Sequence, residues 1–238
     1  MGTITASKDI KEKFLKPMEE AAYENGVNLE TYFRDWVTVS TYTSTGCLMG
    51  LIGEAEECRK RLDYGRDILK KYNEKGSGTF LTLSENLRSE LEQNPRDILG
   101  EIYQSIQANN RSFGQHFTPI QIAELMAQLT MNGDNPKDFY TISDPCCGSG
   151  VMSIAAHNVL KEQGLTNRQF GFVGQDIDSF CCYMAYLQLE LLGVDAVIYN
   201  DNSLLHPYGP NMEISKIYTT STHILNYNEC MENQQQSA

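Results

Sequence analysis

The chain lacks several features that would each have assigned it to a broad class. It has no apolar run long enough to cross a bilayer: the Cys47 to Ile52 cluster is far short of the roughly 20 residues a membrane helix needs. Its opening residues are polar and carry no export signal. Seven cysteines follow no disulfide framework and no Cys-x-x-Cys spacing, so they read as reduced thiols of an intracellular, cytoplasmic protein. The four histidines, His116, His157, His206 and His223, are scattered without metal-ligand spacing. The adjacent pairs Cys146-Cys147 and Cys181-Cys182 point different ways on a turn and a helix, so they read as packing residues, and no metal is expected.

Cations are scarce where a nucleic-acid surface would need them. Residues 113–238 hold 4 Lys/Arg against 13 Asp/Glu, a balance of −9, whereas residues 1–112 hold 15 against 18, or −3. The second half alone would repel a phosphate backbone. The one basic stretch, Arg59-Lys60-Arg61 to Lys75, is interleaved with Asp63, Asp67 and Glu74 and reads as a solvated helix face. Any direct binding of DNA is therefore expected to be weak.

What is present is a core-forming composition, 41% hydrophobic, with a change of character near residue 113. Before it the apolar spacing is helical: Ile10, Phe14 and Met18; then Leu29, Tyr32-Phe33 and Trp36; then Cys47 to Tyr72; then Leu87 and Leu91; then Ile98, Ile102 and Ile106. Trp36, the only tryptophan, falls on an apolar face and reads as core. The β-branched stretch Thr38 to Thr45 is ambiguous, Lys75-Gly76-Ser77-Gly78 reads as a loop, and Thr82 to Glu85 has capping-box spacing for a helix start.

After residue 113, helix and strand alternate. Thr118-Pro119 suits a helix start, with Ile122, Leu125-Met126 and Leu129 as the buried stripe. Tyr140 to Asp144 is a strand, Gly148 and Gly150 permit a tight turn, and Val151 opens a helix. Phe170 to Asp176 and Ala196 to Tyr199 are further strands, and Glu213 to Tyr218 a fourth. Such alternation predicts an α/β, Rossmann-like parallel sheet, partial at about four strands, with its site at the carboxyl ends. The expected organisation is a helical region over 1–112, an α/β domain over 113–225, and a frayed polar tail over 226–238.

Asp144, Asp176 and Asp201 end three successive strands around the glycine turn. The turn is Asp-Pro-Cys-Cys-Gly-Ser-Gly, neither Gly-x-Gly-x-x-Gly nor a lysine-bearing phosphate loop, and a ligand with a carboxylate and an ammonium suits it better than a phosphate. Four segments in order, Gly114-Gln115-His116-Phe117-Thr118-Pro119, Asp144 to Gly150, Gly174-Gln175-Asp176-Ile177-Asp178 and Asn200-Asp201-Asn202-Ser203-Leu204, resemble the S-adenosylmethionine motifs of adenine-specific (N6) DNA methyltransferases. The resemblance is closest to the modification subunit of type I restriction systems. It implies that His116, Phe117, Thr118 and Pro119 line the methionine end of the cofactor. It further implies that Asp144, with the backbone of Gly148 and Gly150, holds the amino and carboxyl groups, that Pro145 and Cys146 belong to the same cofactor-binding turn, and that Asp176 takes the ribose, Ile177 the adenine face and Asp201 the adenine amine. The family reaction is methyl transfer from S-adenosylmethionine to adenine in DNA.

The family's Asn/Asp-Pro-Pro-aromatic tetrapeptide occurs nowhere in this chain. Following the fourth strand, its position is taken by Thr219, Thr220, Ser221 and Thr222, the candidates by position for catalysis. The expectation is a cofactor-binding domain that needs a partner or a missing segment for methyl transfer, either as a homodimer or with a restriction-modification partner. The alternative is a non-catalytic interaction protein that keeps the methyltransferase fold, a reading the acidic second half motivates.

Overall fold

The computed structural model describes residues 7–107, 118–131, 139–209 and 212–236. The chain divides into two compact units, Met1–Phe117 and Thr118–Ala238.

The described part of the first unit is all helix. A helical run opens with α1 (Lys8–Ile10), passes through a π turn at Lys11–Leu15 and continues as α2 (Lys16–Glu24). There follow α3 (Leu29–Leu51), α4 (Ala55–Leu69), α5 (Glu74–Gln93) and α6 (Ile98–Gln107). Trp36 is fully buried beside Phe14 and Phe33, and its indole N–H donates to Ser84 Oγ at 3.0 Å. Buried tryptophan keeps such a partner because an unpaired N–H would cost desolvation. The ambiguous stretch Thr38 to Thr45 is helical inside α3: Thr41 and Thr45 are buried, and the Thr45 hydroxyl bonds the Thr41 carbonyl at 2.7 Å.

Two expectations are corrected in α5. Lys75 to Gly78 is not a loop but the first turn of α5, capped by Asn73, whose side chain accepts from Gly76 N at 2.7 Å. The Thr82 to Glu85 box lies within the helix rather than at its start. Gly76 serves close approach: a Cβ there would come within 2.4 Å of Asn25 Nδ2, and the Tyr32 hydroxyl donates to Gly76 O at 2.6 Å. Within the basic stretch Lys60, Arg66, Lys70, Lys71 and Lys75 each face a carboxylate within 3.1 Å, and buried Arg61 bonds Glu57 at 2.8 Å. Charges already matched in this way offer little to a phosphate backbone.

In the second unit α7 (Ile120–Thr130) precedes β1 (Tyr140–Asp144), α8 (Val151–Glu162), β2 (Phe170–Asp176), α9 (Ser179–Leu191), β3 (Ala196–Asn200), β4 (Ile217–Thr219) and α10 (Ser221–Gln236). The sheet has the order β1-β2-β3-β4, and its first three strands are parallel, in the register Asp144 opposite Gly174 and Asp176 opposite Asn200. Helices α8 and α9 touch one another and cover the same face, which is what successive right-handed crossovers in one direction produce. Phe170, Phe172, Ile198 and Tyr218 fill the layer beneath them, and His157 is a core residue set edge-on to Phe170 at 6.0 Å.

Three further expectations change here. The fourth strand is antiparallel, Ile217 opposite Tyr199 and Thr219 opposite Val197, so the sheet is mixed rather than wholly parallel. Helix α7 buries Ala123 and Ala127 against α8, while Ile122, Leu125, Met126 and Leu129 stay exposed. Both sets recur at helical spacing; the small residues win because they let two helix backbones approach closely. Residues 226–236, expected to fray, continue α10 to Gln236, with Asn226 Nδ2 donating to buried Asp195 at 2.7 Å and Arg168 paired to Glu229 at 3.0 Å.

Candidate functional site

The site is built on the turn between β1 and α8. Gly148 (φ 53°) and Gly150 (φ 93°) occupy left-handed backbone that other residues rarely adopt. At Gly150 space is also tight, since a Cβ would stand 3.2 Å from Ala185 Cα on α9. The turn is tied to β2: Cys147 N donates to Gln175 O at 3.0 Å and Gly148 N to Asp176 Oδ2 at 2.9 Å. Gln188 of α9 adds a bond to Ser149 O at 3.0 Å. No side chain caps α8, so the positive end of a 12-residue helix opens on the turn, with the Asp176 carboxylate held against Gly148 N two residues before the cap.

Of the adjacent thiols, Cys146 is exposed on the turn and Cys147 is buried against Gly174, where a Cβ would meet its Sγ at 3.1 Å. Burial pushes the Cys147 thiol well above its ordinary range. Cys181 and Cys182 are likewise buried. Among the described residues no group of three His, Cys, Asp or Glu is placed to hold a metal ion.

The three aspartates meet at the carboxyl ends of the parallel strands, each in a different state. Asp144 Oδ1 accepts from Cys146 N at 3.1 Å, and burial, reinforced by the like charge of Asp176, raises its carboxyl above the usual range. Asp176 accepts Gly148 N on Oδ2 and Asp178 N on Oδ1, both at 2.9 Å, which leaves each oxygen one lone pair. Ile177, beside it, is 71% exposed. Asp201 is the most heavily engaged: Lys216 Nζ at 2.8 Å, its own neighbour Asn202 N at 2.7 Å and His206 Nδ1 at 3.1 Å all point at it. The Lys216 bond leads the causes that hold its carboxyl down at about 2. Asp201, His206 and Lys216 line an open cavity of about 420 Å³ with Pro207, Gly209, Met212 and Glu213.

Pro145 and Cys146 are on the turn as expected. Thr118 and Pro119 are exposed just ahead of α7, whose cap position is Pro119 rather than Thr118. His116 and Phe117 lie outside the described residues.

The catalytic candidates Thr219, Thr220, Ser221 and Thr222 are not at this end of the sheet. Because β4 is antiparallel, they fall beside Ala196, at the amino end of β3. Thr220 is fully buried there, its hydroxyl accepting from Ala196 N at 2.9 Å and donating to Val194 O at 2.8 Å. The same reversal delivers Lys216, which precedes β4, to the carboxyl end. Sequence reading missed Lys216 and His206 as site residues; the available signal was that Lys216 is one of only four cations after residue 113.

A family model described as N-6 DNA Methylase matches residues 94–236, more than half of the chain. The methylase subunit of the type I restriction enzyme MjaVIII of Methanocaldococcus jannaschii is 31% identical over 127 residues, covering 50% of this chain and 21% of that protein. The MjaVII subunit of the same organism is 30% identical over 118 residues, covering 47% and 19%. The matched part thus spans about a fifth of the length of these relatives. Among solved structures, a type I restriction-modification methyltransferase subunit from Streptococcus thermophilus aligns with a TM-score of 0.42 at 15% identity, covering 87% of this chain and 58% of that one. From the family match it follows that this chain belongs to the N-6 DNA methylase family, whose cofactor is S-adenosylmethionine.

Proposed function

We propose that the second unit binds S-adenosylmethionine and serves methyl transfer to the 6-amino group of adenine in DNA, with the contacts to the target base supplied from outside the described residues. The observation that carries this reading is the placement of Asp144, Asp176 and Asp201 at the neighbouring carboxyl ends of β1, β2 and β3, the first two bonded to the glycine turn ahead of α8. The ligand's carboxylate lies on the first-turn amides of α8, its ammonium beside Asp144, and its ribose hydroxyls on the remaining lone pairs of Asp176. Pro145 and Cys146 flank the methionine end, with Thr118 and Pro119, and Ile177 offers an exposed apolar side chain to the adenine face. When bound, the cofactor supplies an electrophilic methyl group on a sulfonium. The chain's own contribution is to orient that group and to neutralise the ligand's positive end.

The requirement for outside contacts rests on two observations. The chain has no Asn/Asp-Pro-Pro-aromatic tetrapeptide, and its hydroxyl-rich segment Thr219 to Thr222 is turned to the far end of the sheet. A protein partner, such as a restriction-modification subunit or a second copy, fits a unit with 4 cations against 13 carboxylates better than DNA bound directly. Calorimetric titration with S-adenosylmethionine tests the cofactor half of the proposal. Saturable binding abolished by Asp144→Ala is expected, and no heat up to about 1 mM ligand, the limit of ~4 kcal/mol of binding free energy, would refute it.

A further inference from the structure

The lone pairs of Asp201 are unequally used. Oδ1 accepts two bonds, from Asn202 N and from His206 Nδ1 carrying its proton there, whereas Oδ2 accepts only Lys216 Nζ at 2.8 Å. A carboxylate oxygen offers two acceptor sites and an ammonium three donors. One acceptor site on Oδ2 and two donors on Lys216 therefore remain, side by side on one wall of the cavity that Pro207 and Met212 also line. The 6-amino edge of adenine presents the complement: an exocyclic N–H donor separated by one ring carbon from the N1 acceptor. The backbone N–H that follows Asp201, Asn202 N, is already turned onto Oδ1 at 2.7 Å, whereas the Lys216 donors are unspent.

We propose that Lys216 completes the recognition of the cofactor's adenine, its Nζ donating to N1 beside the 6-amino group that Asp201 Oδ2 accepts on the family reading of the site. This rests on the reading of the site as an S-adenosylmethionine site and adds a specificity residue brought there by the reversed β4. Fixed charges cannot exchange donor and acceptor roles, so the pair also rejects the 6-oxo purine, which would set a carbonyl against the carboxylate and an N1–H against the ammonium.

The test uses the full chain and three probes: S-adenosylhomocysteine, its 1-deazaadenosine analogue and its inosine analogue. Wild type is expected to bind the 1-deaza analogue about 10- to 100-fold more weakly than S-adenosylhomocysteine, the range for one hydrogen bond to a charged group. Lys216→Met should weaken S-adenosylhomocysteine by the same factor and leave the 1-deaza analogue unchanged, while Lys216→Arg, which keeps the donor, restores discrimination. Circular dichroism of each variant separates this from loss of fold. Equal binding of the 1-deaza analogue and S-adenosylhomocysteine by wild type, or undiminished discrimination by Lys216→Met, overturns the pairing and leaves the cofactor reading standing. Failure of wild type to bind any of the three overturns both.

Discussion

The amide of Gly148 donates to the carboxylate of Asp176 at 2.9 Å, joining the turn after β1 to the end of β2. Asp176 therefore shapes the site before any ligand arrives. Asp176→Ala would leave that amide without its partner and should cost about 1–3 kcal/mol of stability. Asp176→Asn keeps one acceptor but sets its amide NH2 against the other backbone N–H, of Gly148 or Asp178, so it should recover only part of the stability and should bind the cofactor more weakly, having one acceptor oxygen in place of two. Urea denaturation and cofactor titration of the two variants separate these effects; equal stability of Asp176→Ala and wild type would show that the bond is not structural.

Gly150→Ala tests the turn from the steric side. Left-handed backbone costs a non-glycine residue about 1–2 kcal/mol, and the new methyl would be driven to within 3.3 Å of Ala185 Cβ and 3.2 Å of its Cα. The expected outcome is a loss of at least that free energy in denaturation, together with weaker cofactor binding as α8 shifts. A variant as stable as wild type would mean that α9 yields freely.

Asp144 makes a pH-dependent contribution whose sign follows from its raised carboxyl. Between the ordinary aspartate value and the raised folded value, the native state holds more protons than the unfolded chain, so this residue's contribution to stability falls as pH rises through that window. Asp144→Asn should remove the fall and raise the melting temperature at neutral pH while weakening binding of a ligand that carries an ammonium. Thermal melts from acid to neutral pH measure it; an unchanged pH profile in the variant would refute the assignment.

Thr220→Val separates a structural hydroxyl from a catalytic one. The variant leaves Ala196 N without its 2.9 Å acceptor in a buried position, a loss of about 1–3 kcal/mol. Cofactor affinity should be unchanged. Destabilisation without loss of binding supports the placement; full stability combined with lost methyl transfer, in whatever assembly performs it, would return Thr220 to the active site.

The local structure of the candidate site was largely legible because short-range chemistry encodes it. Asp144, Gly148, Gly150 and Asp176 are read from a β-prone run, two turn glycines and a strand-terminal acid, all decided within a few residues. What was illegible is decided by tertiary contact. Periodicity alone does not tell Ala123 and Ala127 from Ile122 and Leu125, because both sets recur every three to four residues and α8 chooses between them. Gly76 and Gly78 suggest a loop until Asn25 and Tyr32 are seen packed against the helix they sit in. The direction of a three-residue strand is a property of its neighbour: nothing within Ile217–Thr219 states that it pairs with β3 head to tail, and on that one choice depends whether Thr219 or Lys216 reaches the site.

The two adjacent cysteines of the turn also amount to a built-in footprinting pair. Cys146 stands exposed on the turn, while Cys147, buried with its thiol held protonated, is closed to alkylation in the native state. A maleimide reacting with the folded chain and mapped by mass spectrometry reads occupancy at one sulfur and global unfolding at its neighbour. A bound molecule slows the first, denaturant opens the second, and the ratio of the two labels distinguishes ligand loss from fold loss in a single peptide.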